Sequence, residues 1–175
     1  HQSEDNIEIP RHISILGGQW PARGGYMGPT LDAFQVSDPR NPISNLKRRV
    51  PDDRRDRRLA DLETVVEKEF QRGRLRDLDE RRTQQINATK RSVRMMESDQ
   101  IKAFDIDREP ASVRERFGDT AFGRSCLAAI RLIEQGVRCV EVELSGWDTH
   151  ANNFGFHESR CQVLDAALHG LVTQL

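Results

Sequence analysis

An α/β domain is what this sequence predicts, and three observations predict it. Residues 119–136 carry an apolar repeat at helical spacing that ends in a glycine. Residues 137–144 follow at once with strand-like alternation, and a polar loop then leads into a further amphipathic stretch. A helix, a minimal link and a strand in that order make one layer of a sheet covered by helices.

Three segments follow from the pattern: a loop-rich part of the α/β domain at 1–51, a charged helical insertion at 52–98, and a helix–strand–loop–helix portion at 99–175. The first is punctuated by Gly17-Gly18, Gly24-Gly25, Gly28-Pro29, Asp38-Pro39 and Asn41-Pro42, all turn-forming pairs. Ile13 and Ile15 alternate over a stretch that fits one strand. The Gly24–Pro29 run lacks the Lys-Ser/Thr ending of a phosphate-binding loop, and no helical pattern follows it, so it reads as a surface loop packed on a neighbouring domain.

In the insertion, Leu59, Leu62, Val66 and Phe70 recur at spacings of three and four, which places them on one helix face. Gly73 marks a bend or a helix–helix turn, after which Leu75, Leu78, Ile86, Val93 and Met96 form a thinner stripe. A narrow stripe on a charged helix fits a hairpin lying on another surface. Arg54-Arg55-Asp56-Arg57-Arg58 interleaves acid with base and reads as a solvated face. Asn87-Ala88-Thr89 matches a glycosylation sequon, but at a helical position, which disfavours modification.

Glu109-Pro110-Ala111 predicts a short helix with Pro110 at its first position, ending near Phe117-Gly118. Asp119 or Thr120 caps the next helix, whose inner residues are Phe122, Cys126, Ala129, Ile130 and Ile133, with Gly136 as its left-handed terminus. Val137 to Leu144 is the strand, with Val140, Val142 and Leu144 on one face and Cys139, Glu141 and Glu143 on the other. The loop from Ser145 runs to about Phe156. A last helix starts near His157, with Val163, Leu164, Ala167, Leu168 and Leu171 inward.

Composition removes several function classes. Lys and Arg number 27 against 28 acids, a net charge of −1, which gives no overall attraction to nucleic acid or an anionic membrane. No run approaches the roughly 20 apolar residues of a membrane span. Cys126, Cys139 and Cys161 are too scattered for a disulfide framework or a zinc knot and read as buried or half-buried side chains. The chain begins at His1 and stops at Leu175 inside a helical pattern, so it reads as an internal piece whose N- and C-terminal parts lie elsewhere.

Chemistry concentrates in the loop after the strand, because ligand sites in open α/β sheets form at the strands' carboxyl ends. Gly146 lets the backbone turn away sharply. In extended chain Asp148 and His150 leave on one side, with Cα atoms about 7 Å apart at roughly 3.3 Å per residue. A carboxylate and an imidazole so placed can share one ion at bonds of about 2.0–2.2 Å. Trp147 and Thr149 face the other way, where Trp147 can wall the site against water. Spacing alone favours a simple hydrogen bond at the loop corner, and a catalytic zinc takes three protein ligands plus water. His157, Glu158 and Glu143 are the nearest further donors; His12 and His169 have no ligand-like neighbours. No Gly-x-Ser-x-Gly elbow marks a nucleophile.

The stretches Phe122–Ala129, Arg131–Arg138, Gly146-Trp147-Asp148-Thr149-His150 and Asn152-Asn153-Phe154 together resemble a known family. So do Gly25–Pro29 with Asp32, Phe34, Val36, Asp38 and Pro39, and Ala103-Phe104-Asp105 with Arg108-Glu109-Pro110. The chain resembles bacterial domain-of-unknown-function proteins related to sulfatases, within the alkaline phosphatase superfamily. Ala33, Leu31 and Ser145 depart from the family's usual residues at positions that govern loop stiffness.

The resemblance implies part of a three-layer alkaline-phosphatase-like sandwich with a helical hairpin insertion at 52–98. It implies a metal-dependent hydrolase of sulfate or phosphate esters, on a small-molecule or glycan substrate. Asp148 and His150 would be ligands of divalent ions (zinc, calcium or manganese). It also implies export from a bacterial cell, and a piece that is inactive alone because the superfamily's nucleophile and remaining ligands lie outside it. Two other functions compete: a non-catalytic binding protein on the same fold, and a partner-docking module formed by the helical hairpin.

Overall fold

A computed structural model describes residues 8–18, 22–28, 31–41, 51–72 and 92–174. It divides into two compact units, residues 44–97 and the remainder. The larger is mixed α/β around a small parallel sheet of three strands, β1 (His12–Ile15), β2 (Phe34–Val36) and β3 (Cys139–Val142), ordered β2-β1-β3. Ile13 pairs with Phe34 and Val140, and Ile15 with Val36 and Val142, so these residues share one face. On that face Ile13, Ile15 and Val36 are buried. The opposite face carries Gln35, Cys139 and Glu141, all exposed, around a buried Ser14. Segment 1–51 thus contains a second strand that its turn-rich sequence conceals. Three residues are too few to show alternation, and β2 is held by its pairing with β1.

Two 3-10 helices, Asp99–Phe104 of two turns and Ile106–Arg108 of one, lead to the short helix α2 (Ala111–Arg116), while α1 (Asp52–Arg72) lies in the smaller unit. Pro110 stands at the N-cap of α2, one place earlier than the sequence suggests, because its ψ of 142° is extended while its carbonyl already accepts from Val113 and Arg114.

Helix α3 (Ala121–Glu134) is capped by Thr120, whose hydroxyl accepts from Gly123 N–H at 3.0 Å. Its end is a Schellman motif: Gly136 N–H donates to Ile133 O, Val137 N–H donates to Leu132 O, and Gly136 has φ +94°. Leu132 and Val137, the pair that closes such a motif, are both buried. Val137 therefore belongs to the cap, and the strand is shorter than Val137–Leu144. The buried side of α3 includes Leu127, Ala128 and Leu132 beside Cys126, Ala129 and Ile130, whereas Ile133 is 47% exposed.

Helix α4 (Asn153–Gln174) begins four residues before the expected His157, since Phe156 N–H already donates to Asn152 O. It packs against α3 and α2. Its buried residues are the small ones, Ala167 and Gly170, while Leu168, expected inward, is 49% exposed. A Cβ on Gly170 would lie 2.7 Å from Cδ1 of the buried Phe117, so this glycine lets helix and ring approach closely. Of the cysteines only Cys126 is buried; Cys139 lies on the open sheet face and Cys161 on the outer side of α4, both exposed.

In the smaller unit, α1 (Asp52–Arg72) starts with two acids, which suit the positive end of the helix dipole. Arg55 pairs with Asp56 at 3.2 Å and with Glu97 at 2.9 Å, the latter in the helical segment 92–97. Arg54, Arg57 and Arg58 are exposed. Leu59 is half-buried but Leu62 is 50% exposed, so the stripe is shallower than its spacing suggests. Met95 is buried, deeper than its half-buried neighbours Val93 and Met96. Gly73, Leu75, Leu78, Ile86 and the sequon lie outside the described residues, as do the side chains of Val66 and Phe70. No helix among the described residues is long and apolar enough to cross a membrane.

Candidate functional site

The order β2-β1-β3 sends the chain from β1 to one side and later back to the other. The crevice outside the carboxyl ends of β1 and β3 is therefore a topological switch point, where open α/β sheets bind ligands. A hydrogen bond ties the two strand ends together there: Gly18 N–H donates to Glu143 Oε2 at 2.6 Å. Leu16, just after β1, is held at φ +58°, a strained state for a bulky side chain.

The loop that leaves β3 turns at Gly146, with φ +89°. A Cβ there would also fall 2.6 Å from Arg160 Nη2, so the guanidinium lies across the turn. Beyond it the side chains alternate. Asp148 and His150 leave on one side, with Asp148 Oδ1 and His150 Nε2 3.4 Å apart and both side chains 89% exposed. Thr149 leaves on the other, toward the first turns of α4. Its Oγ1 donates to Asn153 Oδ1 at 2.6 Å and lies 3.2 Å from His157 Nε2. Trp147 packs against that same histidine, with ring centroids 5.7 Å apart and the planes tilted by 38°.

This arrangement corrects one expectation: Trp147 does not wall the Asp148–His150 pair, which stands in solvent while the indole rests against α4. It also gives His157 a different place from the pair, since its Nε2 is occupied by Thr149. Glu143 is engaged by Gly18, His12 lies 3.2 Å through Nδ1 from Leu31 O, and His169 is exposed on α4.

The geometry of Asp148 and His150 fits an ion. Two donors about 2.0–2.1 Å from a tetrahedral centre stand roughly 3.3 Å apart, close to what the pair shows. The imidazole favours zinc or manganese over calcium, which takes oxygen ligands. Two donors leave the remaining positions to other groups, and among the described residues no set of three His, Cys, Asp or Glu converges. Sequence reasoning missed the Thr149–Asn153–His157 cluster. Its signal is the repeated spacing of four, legible only once α4 is known to begin at Asn153.

Aromatic side chains crowd the same rim: Phe154 is 93% and Phe156 52% exposed on the first turn of α4. No curated protein and no solved structure matches the chain. A family model does, over residues 1–175, for a family described as a protein of unknown function, DUF1501. The chain with this strand-end loop thus belongs to the DUF1501 family.

Proposed function

We propose that the chain is part of a metal-dependent hydrolase of sulfate or phosphate esters, with Asp148 and His150 as ligands of a divalent ion. The observation that carries the reading is the 3.4 Å approach of their donor atoms at the switch point of a parallel sheet. The resemblance of the Gly-Trp-Asp-Thr-His block to sulfatase-like proteins supports it, as does the location of sites at the carboxyl ends of parallel strands. The larger three-layer sandwich, a small-molecule or glycan ester as substrate, and export from the cell belong to the same reading and rest on that resemblance.

An ion held by this pair would supply positive charge for a developing phosphoryl or sulfuryl oxyanion. The chain's own contribution is to hold the carboxylate and imidazole on one side of an extended segment whose other side is fixed to α4. Their exposure leaves the approach to the pair open to a bulky ester.

Metal analysis of the full-length protein tests the reading. Zinc or manganese near stoichiometry in wild type, reduced in Asp148→Asn and in His150→Ala without a shift in the unfolding midpoint, is the expected result. Wild-type protein that retains no divalent ion after purification in its presence retires the hydrolase in favour of a binding protein on the same fold. Unchanged occupancy in both variants moves the ligands elsewhere.

A further inference from the structure

We infer that His157 is a positioning residue that fixes the Trp147–His150 loop to helix α4 and so keeps Asp148 and His150 converged. The inference rests on the proposed metal role of that pair and adds a part for the side chains on the opposite side of the segment.

Asp148 has Trp147 on one flank and Thr149 on the other, and Thr149 also flanks His150. Both flanking side chains end on His157: the indole by a tilted ring contact at 5.7 Å, the hydroxyl at 3.2 Å from Nε2. Asn153 makes the second contact with the hydroxyl, at 2.6 Å. A hydroxyl has one hydrogen, and Thr149 gives it to Asn153 Oδ1. Its oxygen then accepts from His157, with a hydrogen on Nε2. An imidazole in that state points its hydrogen, not a lone pair, at the loop, so this nitrogen has nothing to offer a metal. The ligand pair itself is 89% exposed on both members, and packing does nothing to hold it. The order of the pair must come from the opposite side of the segment, where His157 and Asn153 project from a 22-residue helix. Fixing ligand geometry through such outer contacts is commonly worth about 10–100-fold in metal affinity.

The test uses the full-length protein, zinc alone as the probe in a chelator-competition titration, and hydrogen exchange of the 147–150 amides without metal. His157→Phe keeps a ring against Trp147 and removes the hydrogen bond. His157→Gln keeps an amide N–H near the Nε2 position, and Thr149→Val and Thr149→Ser make the same contrast from the other partner. The expected result is zinc binding weaker by about tenfold or more in His157→Phe and Thr149→Val. Exchange at 147–150 should be faster in both, with wild-type behaviour restored in His157→Gln and Thr149→Ser. Unchanged exchange and affinity in His157→Phe overturn the inference. Equal loss in Gln and Phe variants overturns it in favour of direct ligation by the imidazole. Wild type that binds no zinc, with a loop that still loosens in His157→Phe, removes the metal reading while the anchoring stands.

Discussion

Helices α3 and α4 lie side by side in the larger unit and are built on opposite terms. The first has 14 residues, of which eight are buried, from Gly123 to Leu132. The second has 22 residues and buries two, Ala167 and Gly170, while Phe154, Leu168 and Val172 face outward. The difference teaches that burial, not length or apolar content, separates a helix that holds this fold from one that borrows its place. α3 is fixed at both ends by its own sequence and along one side by β3 and α4. α4 is fixed by close approach of small residues to α3 and to the Phe117 ring, and its first turns serve the loop.

The strongest test of that contrast is one leucine from each helix. Leu132 is fully buried, and Leu132→Ala should cost about 2–5 kcal/mol through lost burial and a cavity. Leu168, half exposed, should lose less than about 1 kcal/mol on the same change. Urea unfolding of the two variants decides it, and equal midpoints would erase the distinction between the helices.

Each helix also carries a cysteine, which gives a chemical version of the comparison. Burial pushes the Cys126 thiol up to about 11, while Cys161 is exposed. Only thiolate reacts, so iodoacetamide at pH 8 should label Cys161 and the exposed Cys139 at once and leave Cys126 until the protein unfolds. The sign of the linkage follows. A thiol whose folded value lies above the unfolded value of about 8.5 stays protonated in the native state, so stability falls as pH rises from there toward 11. Cys126→Ala should flatten that part of the profile, and an unchanged slope would assign the alkaline loss to other groups.

Gly170 tests the close approach. Glycine to alanine within a helix ordinarily gains about 1 kcal/mol. Here the new methyl would stand 2.7 Å from the Phe117 ring, and overpacking typically costs about 1–3 kcal/mol. The ring is 1% exposed and has little room to yield, so the steric term should win and Gly170→Ala should lower the melting temperature. Adding Phe117→Leu should recover part of the helix gain; a single variant that melts higher than wild type would place the helix and ring farther apart.

The same contrast explains what could be read in the sequence. The cap and stop of α3 rest on Thr120, one of the two capping residues the sequence offers, and on Gly136, both local and so legible. On α4 the expected inner residue Ala167 is buried and Val163, Leu164 and Leu171 are half-buried, but Leu168 faces outward, and the buried Gly170 carries no apolar signal that could mark it. β2 escaped because its two apolar residues gain meaning only from register with β1. In the loop, the shared side of Asp148 and His150 follows from extended-chain alternation. The support from Asn153 and His157 does not, because it needs the start of α4, and that start follows a left-handed Asn152 with φ +50°.

The smallest effect should come from the outer face of α4. Val172 is 71% exposed, so truncation to alanine forfeits less than a third of the roughly 1.5–3 kcal/mol that full burial of such a side chain gives. Alanine also gains up to about 0.7 kcal/mol over valine in a helix, because a β-branched side chain loses rotamer freedom against the preceding turn. The two terms nearly cancel, and Val172→Ala should move the urea midpoint by no more than the equivalent of about 0.5 kcal/mol. A loss above about 1 kcal/mol cannot come from a residue in water. It would mean that Val172 is covered in the intact protein, and that α4 is a buried helix like α3.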